Sequence, residues 1–312
     1  MLVVRSADAI PRGSRGCSIA WGMFDGVHLG HQHVLRLAMT EARVRGGKAV
    51  ALTFDPHPQS VVCPEKAPRL LQPLSQRLRD LAAVGIDVAL VLEFTPELSR
   101  VPGQEFVERL LATAPGVHSL SVGEGFQFGA QRSGDIGLLR RMGLERGFAV
   151  HVAQPVSLGG EVVSSSRIRQ SLREGDLEHV SELLGRPYAV SGTVVRGDQL
   201  GRTLGFPTAN LAVQGLELPP QGVYAARVRI LSETPGAAVP AVLNWGIRPT
   251  LERPAGEGRF EVHLLGHEGD LYGRELEVTF VGFLRAESRF DSVDALRSQI
   301  GRDCIAARNI LG

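Results

Sequence analysis

The sequence predicts an α/β unit followed by an antiparallel β unit that a C-terminal helix closes. In the first half, short apolar runs rich in β-branched residues alternate with longer helical patterns, which implies βαβ units and a parallel sheet covered on both faces. After residues 185–188 the texture changes to strand-like runs separated by Gly, Pro and Asn, with no helical pattern between them. Residues 292–311 then return to helical periodicity.

The strands expected in the first half are 17–24, 48–54, 87–94, 118–123 and 149–155. Between them, residues 31–45 repeat apolar side chains at helical spacing until Gly46 and Gly47, and 75–85, 103–114 and 134–147 read the same way. Two shorter helical stretches, 165–175 and 176–185, precede the change of texture, which sets the domains at 1–186 and 187–312. A chain of 312 residues is long enough for two domains of roughly 150 residues each. In the second half, 188–197, 222–231, 238–246, 259–266 and 275–285 read as strands of an antiparallel barrel or sandwich. Ser292 is placed to cap the final helix, with Val293, Leu296, Ile300, Ile305 and Ile310 as its packing face. The loop 252–259 is expected to be the most mobile piece.

Composition limits the partners. The 34 basic and 33 acidic residues nearly cancel, so no broad positive field is available for a nucleic-acid backbone. Cys17, Cys63 and Cys304 lie far apart in no metal-ligand spacing, which suits reduced thiols in a reducing compartment. No stretch approaches ~18 uninterrupted apolar residues and no secretory leader is visible, so the expectation is a cytoplasmic protein off the membrane. Nothing in the sequence fixes assembly beyond leaving room for a weak homo-oligomer.

The candidate sites follow from spacing. Residues 22–35 join the first strand to the first helix, where ligands bind an open α/β sheet. There, Asp25 and Gly26 allow a tight turn and Gly30 lets a ligand approach the backbone. Gly22, Phe24, Asp25 and Gly30 are candidate phosphate contacts, and His28 and His31, three apart, share a face of the helix's first turn. Free N–H groups and the helix dipole favour a phosphate at that end, and imidazoles there can donate to it. Surface histidines would read alike. His57, between Pro56 and Pro58, follows the second strand and would line the same crevice. Ser164, Ser165 and Ser166 with Arg167 and Arg169 form either a phosphate cradle or a simple helix cap. In the second half, Gly201 and Gly205 can bring backbone amides to a phosphate, and no P-loop is present. Thr208 and Asn210, two apart on an extended segment, offer oxygen ligands suited to Mg²⁺, or are a polar turn pair. Glu261 has the opposite parity to Phe260, Val262 and Leu264, so it faces either solvent or a ligand.

The stretch 24–32, FDGVHLGHQ, resembles the H-x-G-H signature of nucleotidyltransferases. Together with FDPHP (54–58), GEGFQFGAQRSGD (123–135), VSSSRIRQSL (163–172), GRTLGFPTANL (201–211), NWGIRPT (244–250) and EVHLLGHEGDLYGREL (261–276), it is similar to the bifunctional riboflavin kinase/FMN adenylyltransferase (FAD synthetase) family over nearly the whole chain. The resemblance implies a Rossmann-like nucleotidyltransferase domain and a riboflavin-kinase-type barrel. It implies ATP, riboflavin and FMN as substrates, FAD as product and Mg²⁺ as cofactor. It gives His28 and His31 to the adenylyl transfer and Arg169 to the ATP phosphates. In the kinase half, Thr208 and Asn210 would bind the metal and Glu261 would be the base on the riboflavin hydroxyl. Asn244 and Arg248 fall in loops near the substrates, and Arg285 and Phe290 in the flavin-side lid. One departure stands out: Gly125 replaces the family's Asp or Asn. That departure motivates one alternative, a kinase with an impaired or altered adenylyltransferase module; a flavin-binding regulator without turnover is the other.

Overall fold

Strands buried on both faces need unbroken apolar runs, and the first half supplies them. They are β1 (Leu2–Val4), β2 (Cys17–Trp21), β3 (Lys48–Asp55), β4 (Val88–Glu93) and β5 (Val117–Gly123); after a ribbon of β6 (Gln127–Phe128) and β7 (Gly134–Asp135), β8 (Ala149–Ala153) completes the sheet. The sheet order is β1-β4-β3-β2-β5-β8, and every neighbour is parallel. A second ribbon, β9 (Ser157–Leu158) and β10 (Glu161–Val162), follows. The computed structural model describes residues 1–11, 15–197, 200–231, 237–246, 258–267 and 269–312, apart from the Leu200 side chain.

The helices of this unit are α1 (Leu29–Arg45), α2 (Pro58–Val62), α3 (Leu74–Val84), α4 (Gly103–Thr113) and α5 (Ile136–Arg146). On one face of the sheet, Ile19, Leu52, Leu90 and Leu120 pack with Phe106, Leu110, Leu139 and Met142. On the other, Ala20, Ala49 and Ala51 leave room for Leu35, Ala38 and Ala42 of α1 and Leu81 of α3. Each buried Leu contributes about 1.5–3 kcal/mol of transfer free energy. The strand order reverses at β2, so the loops after β2 and β5 flank a crevice at the carboxyl end of the sheet.

The second unit contains nearly all of α6 (Ser165–Glu174), then α7 (Leu177–Leu184), one turn of helix α8 (Leu200–Thr203) and six strands. The strands are β11 (Ala189–Val195), β12 (Ala209–Leu211), β13 (Gly222–Leu231), β14 (Val239–Gly246), β15 (Arg259–Leu264) and β16 (Glu275–Arg285). They close an antiparallel barrel, β11-β12-β15-β14-β13-β16, with β16 returning to β11. Its interior is packed by residues such as Tyr224, Val228, Leu243, Phe260, Val262, Val278 and Phe280.

The barrel's outer wall carries α9 (Val293–Leu311), capped by Ser292, whose side chain accepts from Ala295 N–H at 3.1 Å. The packing face agrees with the expectation at Ile300, which packs against this wall, and differs from it at three other positions. Cys304, Ala307 and Leu311 meet Val223, Ala225 and Val242, whereas Val293, Ile305 and Ile310 are 65%, 60% and 49% exposed. The wall takes small side chains, Cys304 and Ala307, as well as Ile300 and Leu311, so size alone does not mark the buried face.

Packing also divides the chain earlier than composition does, into Met1–Arg69 with Leu74–Ser165, and Leu70–Pro73 with Ser166–Gly312. Leu70 joins the second unit because its N–H donates to Gly215 O and its carbonyl accepts from Glu217 N–H, at 3.0 and 2.8 Å. Tyr188 Oη then donates to Leu71 O and Glu217 O at 3.1 and 2.6 Å. The short strands β1 and β12 and helix α8 were not expected. Residues 252–257 of the loop expected to be mobile lie outside the described residues.

Candidate active sites

The first site begins with a strained loop. Phe24 and Val27 have φ of 53° and 41°, which costs side-chain-bearing residues about 1–3 kcal/mol each. Both side chains are buried in the core beneath α1. Three of the loop's carbonyls are held by side chains. Met23 O accepts from Thr53 Oγ1 and Arg77 Nη1, both at 2.9 Å, Asp25 O from Ser165 Oγ at 2.9 Å, and Val27 O from Gln32 Nε2 at 3.1 Å. Arg77 reaches on to Phe54 O at 3.2 Å and so ties the loop after β2 to the end of β3. Burial lowers the Arg77 pKa, while the charges of Asp25 and Asp55 oppose that shift.

This loop delivers His28 as the N-cap of α1. His28 Nδ1 accepts from His31 N–H at 3.3 Å, and the two rings stack 3.6 Å apart at 18°. With Nδ1 accepting, the neutral ring carries its proton on Nε2, a donor. Gly30 sits at a close approach: a Cβ there would lie 3.2 Å from His28 ring atoms and 3.3 Å from Val163 O. The Phe24 ring stands edge-on to His31 at 5.5 Å. His57 is likewise an N-cap, of α2, its Nδ1 accepting from Gln59 N–H at 3.1 Å. Ser164 is half-buried, and Ser165 and Arg169 are four apart on α6 and share a face, Arg169 being buried. Gly125, after β5, has φ of 73° and nothing within 4 Å of a Cβ built on it.

Beside Gly22 opens a cavity of about 520 Å³ lined by Trp21, Phe54, Phe94, Phe106, Phe126 and Phe128. Trp21 lies 4.8 Å from Phe106, 5.0 Å from Phe126 and 4.6 Å from Phe128. Gln131 and Arg132, on its rim, have φ of 52° and 59°. Sequence reasoning missed this cavity because its aromatics come from separate elements; the F-x-F of residues 126–128 was the only local signal.

The second site lies on the barrel's outer wall. β15 alternates as predicted, with Phe260, Val262 and Leu264 buried and Glu261 half-buried. Register places Asn210 opposite Glu261 and Glu261 opposite Asn244, so three polar residues form a row across β12, β15 and β14. Glu261 Oε1 lies 3.6 Å from Arg259 Nη1. A cavity of about 480 Å³ gathers Gly201, Thr208, Asn244, Glu261, Arg285 and Phe290, with His263, whose Nδ1 is 2.7 Å from Pro207 O. Thr208 also lines a second cavity of about 590 Å³ with Arg202, His267, Asp270 and Tyr272. Gly205 turns the chain with φ of 86°. Asn210 packs against Gly197 and lines neither cavity. Arg285 lines the 480 Å³ cavity, as its expected place beside the flavin requires, and its guanidinium is at the same time held by Asp303. Arg248 lies outside the described residues. Arg259, His263 and Asp303 were not singled out from the sequence.

Thr208 and Asn210 offer a hydroxyl and an amide oxygen, and no group of three or more His, Cys, Asp or Glu suited to a metal exists among the described residues. Neutral oxygens that leave phosphate oxygens to complete the shell fit Mg²⁺ rather than a softer ion.

The α/β unit and the closed barrel, each with its own cavity, make a two-module protein, and the family matches make it a transferase. Residues 10–167 match the family model of FAD synthetase, and residues 184–311 that of riboflavin kinase. The chain belongs to the bifunctional riboflavin kinase/FMN adenylyltransferase family: it phosphorylates riboflavin to FMN and transfers AMP from ATP to FMN, giving FAD. The enzyme of that name from Escherichia coli K12 is 42% identical over 95% of this chain and 93% of its own. That from Pseudomonas fluorescens is 40% identical over 99% and 97%. A crystal structure described as a macrolide-efflux protein from Streptococcus pneumoniae superposes with a TM-score of 0.81 at 28% identity, covering 99% of each chain. No helix among the described residues of this chain is long and apolar enough to cross a membrane.

Proposed function

We propose that the two reactions are divided between the sites above, with boundaries at 1–186 for adenylyl transfer and 187–312 for the kinase. The kinase assignment is carried by the row Asn210–Glu261–Asn244 beside Thr208. Glu261 takes the proton of the riboflavin 5′-hydroxyl as that oxygen attacks the γ-phosphorus of ATP and ADP departs. Thr208 and Asn210 would hold Mg²⁺, which when bound offsets phosphate charge. Gly201 and Gly205 offer main-chain amides to the phosphates, and Asn244 and Phe290 face the flavin.

In the first unit, a phosphate oxygen of FMN attacks the α-phosphorus of ATP and pyrophosphate leaves. No proton has to be abstracted, so positioning and charge neutralisation suffice. His28 Nε2–H, His31 and the amides at the start of α1 are aimed at the phosphates, with Gly22, Asp25, Gly30, His57, Ser164, Ser165 and Arg169 as the supporting set. The aromatic cavity at Trp21 suits a flat isoalloxazine ring, and Arg132 on its rim is a cation for the FMN phosphate. The balanced charge and reduced cysteines support small-molecule substrates in a reducing, cytoplasmic setting, with at most a weak homo-oligomer.

The test is chromatographic separation of flavins over time from protein, riboflavin, ATP and Mg²⁺. Glu261→Gln should lower FMN formation by about 10²–10⁴-fold while riboflavin binding and FAD formation from added FMN persist. Unchanged turnover would remove Glu261 as the base.

A further inference from the structure

Arg285 ends β16, and its guanidinium is committed on both sides. Nε donates to Asp303 Oδ1 and Oδ2 at 3.0 and 3.2 Å, and Nη2 donates to Oδ2 at 2.8 Å. Nη1 turns the other way, to Ala286 O at 3.0 Å and Ser288 Oγ at 3.2 Å. Asp303, on α9, is buried, and its Oδ1 also accepts from Gln299 Nε2 at 2.8 Å. The segment 286–290 thus hangs from one planar fork whose far side is fixed in α9. Phe290 continues the contact, its ring centre 5.7 Å from Arg285 Cζ, and the Glu287 carboxylate closes against the backbone of Gly246 at the end of β14. Glu287, Ser288, Arg289 and Phe290 together form one side of the barrel cavity.

We propose that Arg285 and Asp303 are positioning residues: their ion pair straps segment 286–290 across the riboflavin cavity and sets where Phe290 stands, so flavin affinity depends on it while phosphoryl transfer does not. The proposal rests on assigning this cavity to riboflavin. A two-pronged arginine–carboxylate contact fixes orientation as well as distance, which a single ammonium or an apolar contact does not. The pair joins β16, the segment and α9, so loosening it frees the cavity's cover without touching Glu261, Thr208 or Asn210.

Full-length Arg285→Lys, Asp303→Asn and the double variant test this by steady-state kinetics. Each single variant should raise the riboflavin KM about tenfold, as expected if the strapped population falls from nearly all to about a tenth. The kcat and the ATP KM should stay within about twofold, and the double variant should be no worse than the worse single, as members of one unit are not additive. Ser288→Ala, which leaves the buried pair intact, should give a smaller rise of about two- to threefold in the same direction and serves if Asp303→Asn does not fold. FAD formation from added FMN should be unchanged in all of them.

A defective Arg285→Lys beside a normal Asp303→Asn would overturn the strap in favour of direct ligand contact. Additive losses, or a fall in kcat at constant KM, would overturn it as well. Glu261→Gln in the same assay separates the two readings: full FMN formation there would remove the cavity assignment itself, whatever the strap variants do.

Discussion

Gly30 shows how little room one residue leaves. A methyl group there would press on the His28 ring and on Val163 O at once, and neither can move far, since His28 stacks on His31 and its Nδ1 is held by the main chain of α1. Gly30→Ala should therefore turn His28 away from the phosphates and slow FAD formation by about tenfold or more, with FMN formation unchanged in the same chain. An unaffected FAD rate would mean that His28 is not positioned by this contact. Gly125 is the opposite case. Its left-handed backbone is one that Asn adopts readily, and the space around it is open. Gly125→Asn should leave stability within about 0.5 kcal/mol and raise the FAD rate. A rate that does not rise would show that Glu124 or the main chain already supplies the missing oxygen.

Among the elements, α3 matters through one side chain. Arg77 holds Met23 O and Phe54 O, so the strand ends that carry the His28 loop and the His57 turn are fixed to each other. Arg77→Met keeps the bulk and removes the donors: Phe54 O loses its side-chain partner at a cost of about 1–3 kcal/mol, while Met23 O keeps Thr53 Oγ1. The thermal midpoint should fall and the FAD rate should drop while the FMN rate holds; equal loss of both activities would argue against a local role. Elements with a strong internal period were legible in the sequence, including the helix from Leu29, the parallel strands and the alternation around Glu261. Others were not. β1 and β12, at three residues each, are too short to show a period, and they are defined by what they pair with. The face of α9 was legible at Ile300 but not at Cys304 and Ala307, small residues that pack on the wall while the larger Ile305 stays exposed. The Arg285–Asp303 pair and the cavity around Trp21 join residues far apart in sequence, where spacing carries no signal.

At the scale of the molecule, each unit buries a group that titrates in alkali. Burial pushes the Cys17 thiol from 9.0 up to about 12, and the Tyr224 hydroxyl from 10.0 up to about 12. Both are neutral when folded and ionise more easily once unfolded, so stability is fully present below the unfolded values and is lost as pH rises through the folded ones. Thermal midpoints should hold up to about pH 9, then fall toward pH 12, and Cys17→Ala should flatten the first part of that decline. A profile unchanged by the substitution would exclude Cys17 as a source. The chain has two tryptophans, and the fold assigns one to each module: Trp21 stands among the aromatics of the first cavity, and Trp245 donates through Nε1 to Pro219 O at 3.0 Å on the barrel. The enzyme thus carries a separate intrinsic fluorophore in each catalytic half. Trp21→Phe and Trp245→Phe would give two single-emitter proteins, in which quenching by flavin reports the filling of each half in real time.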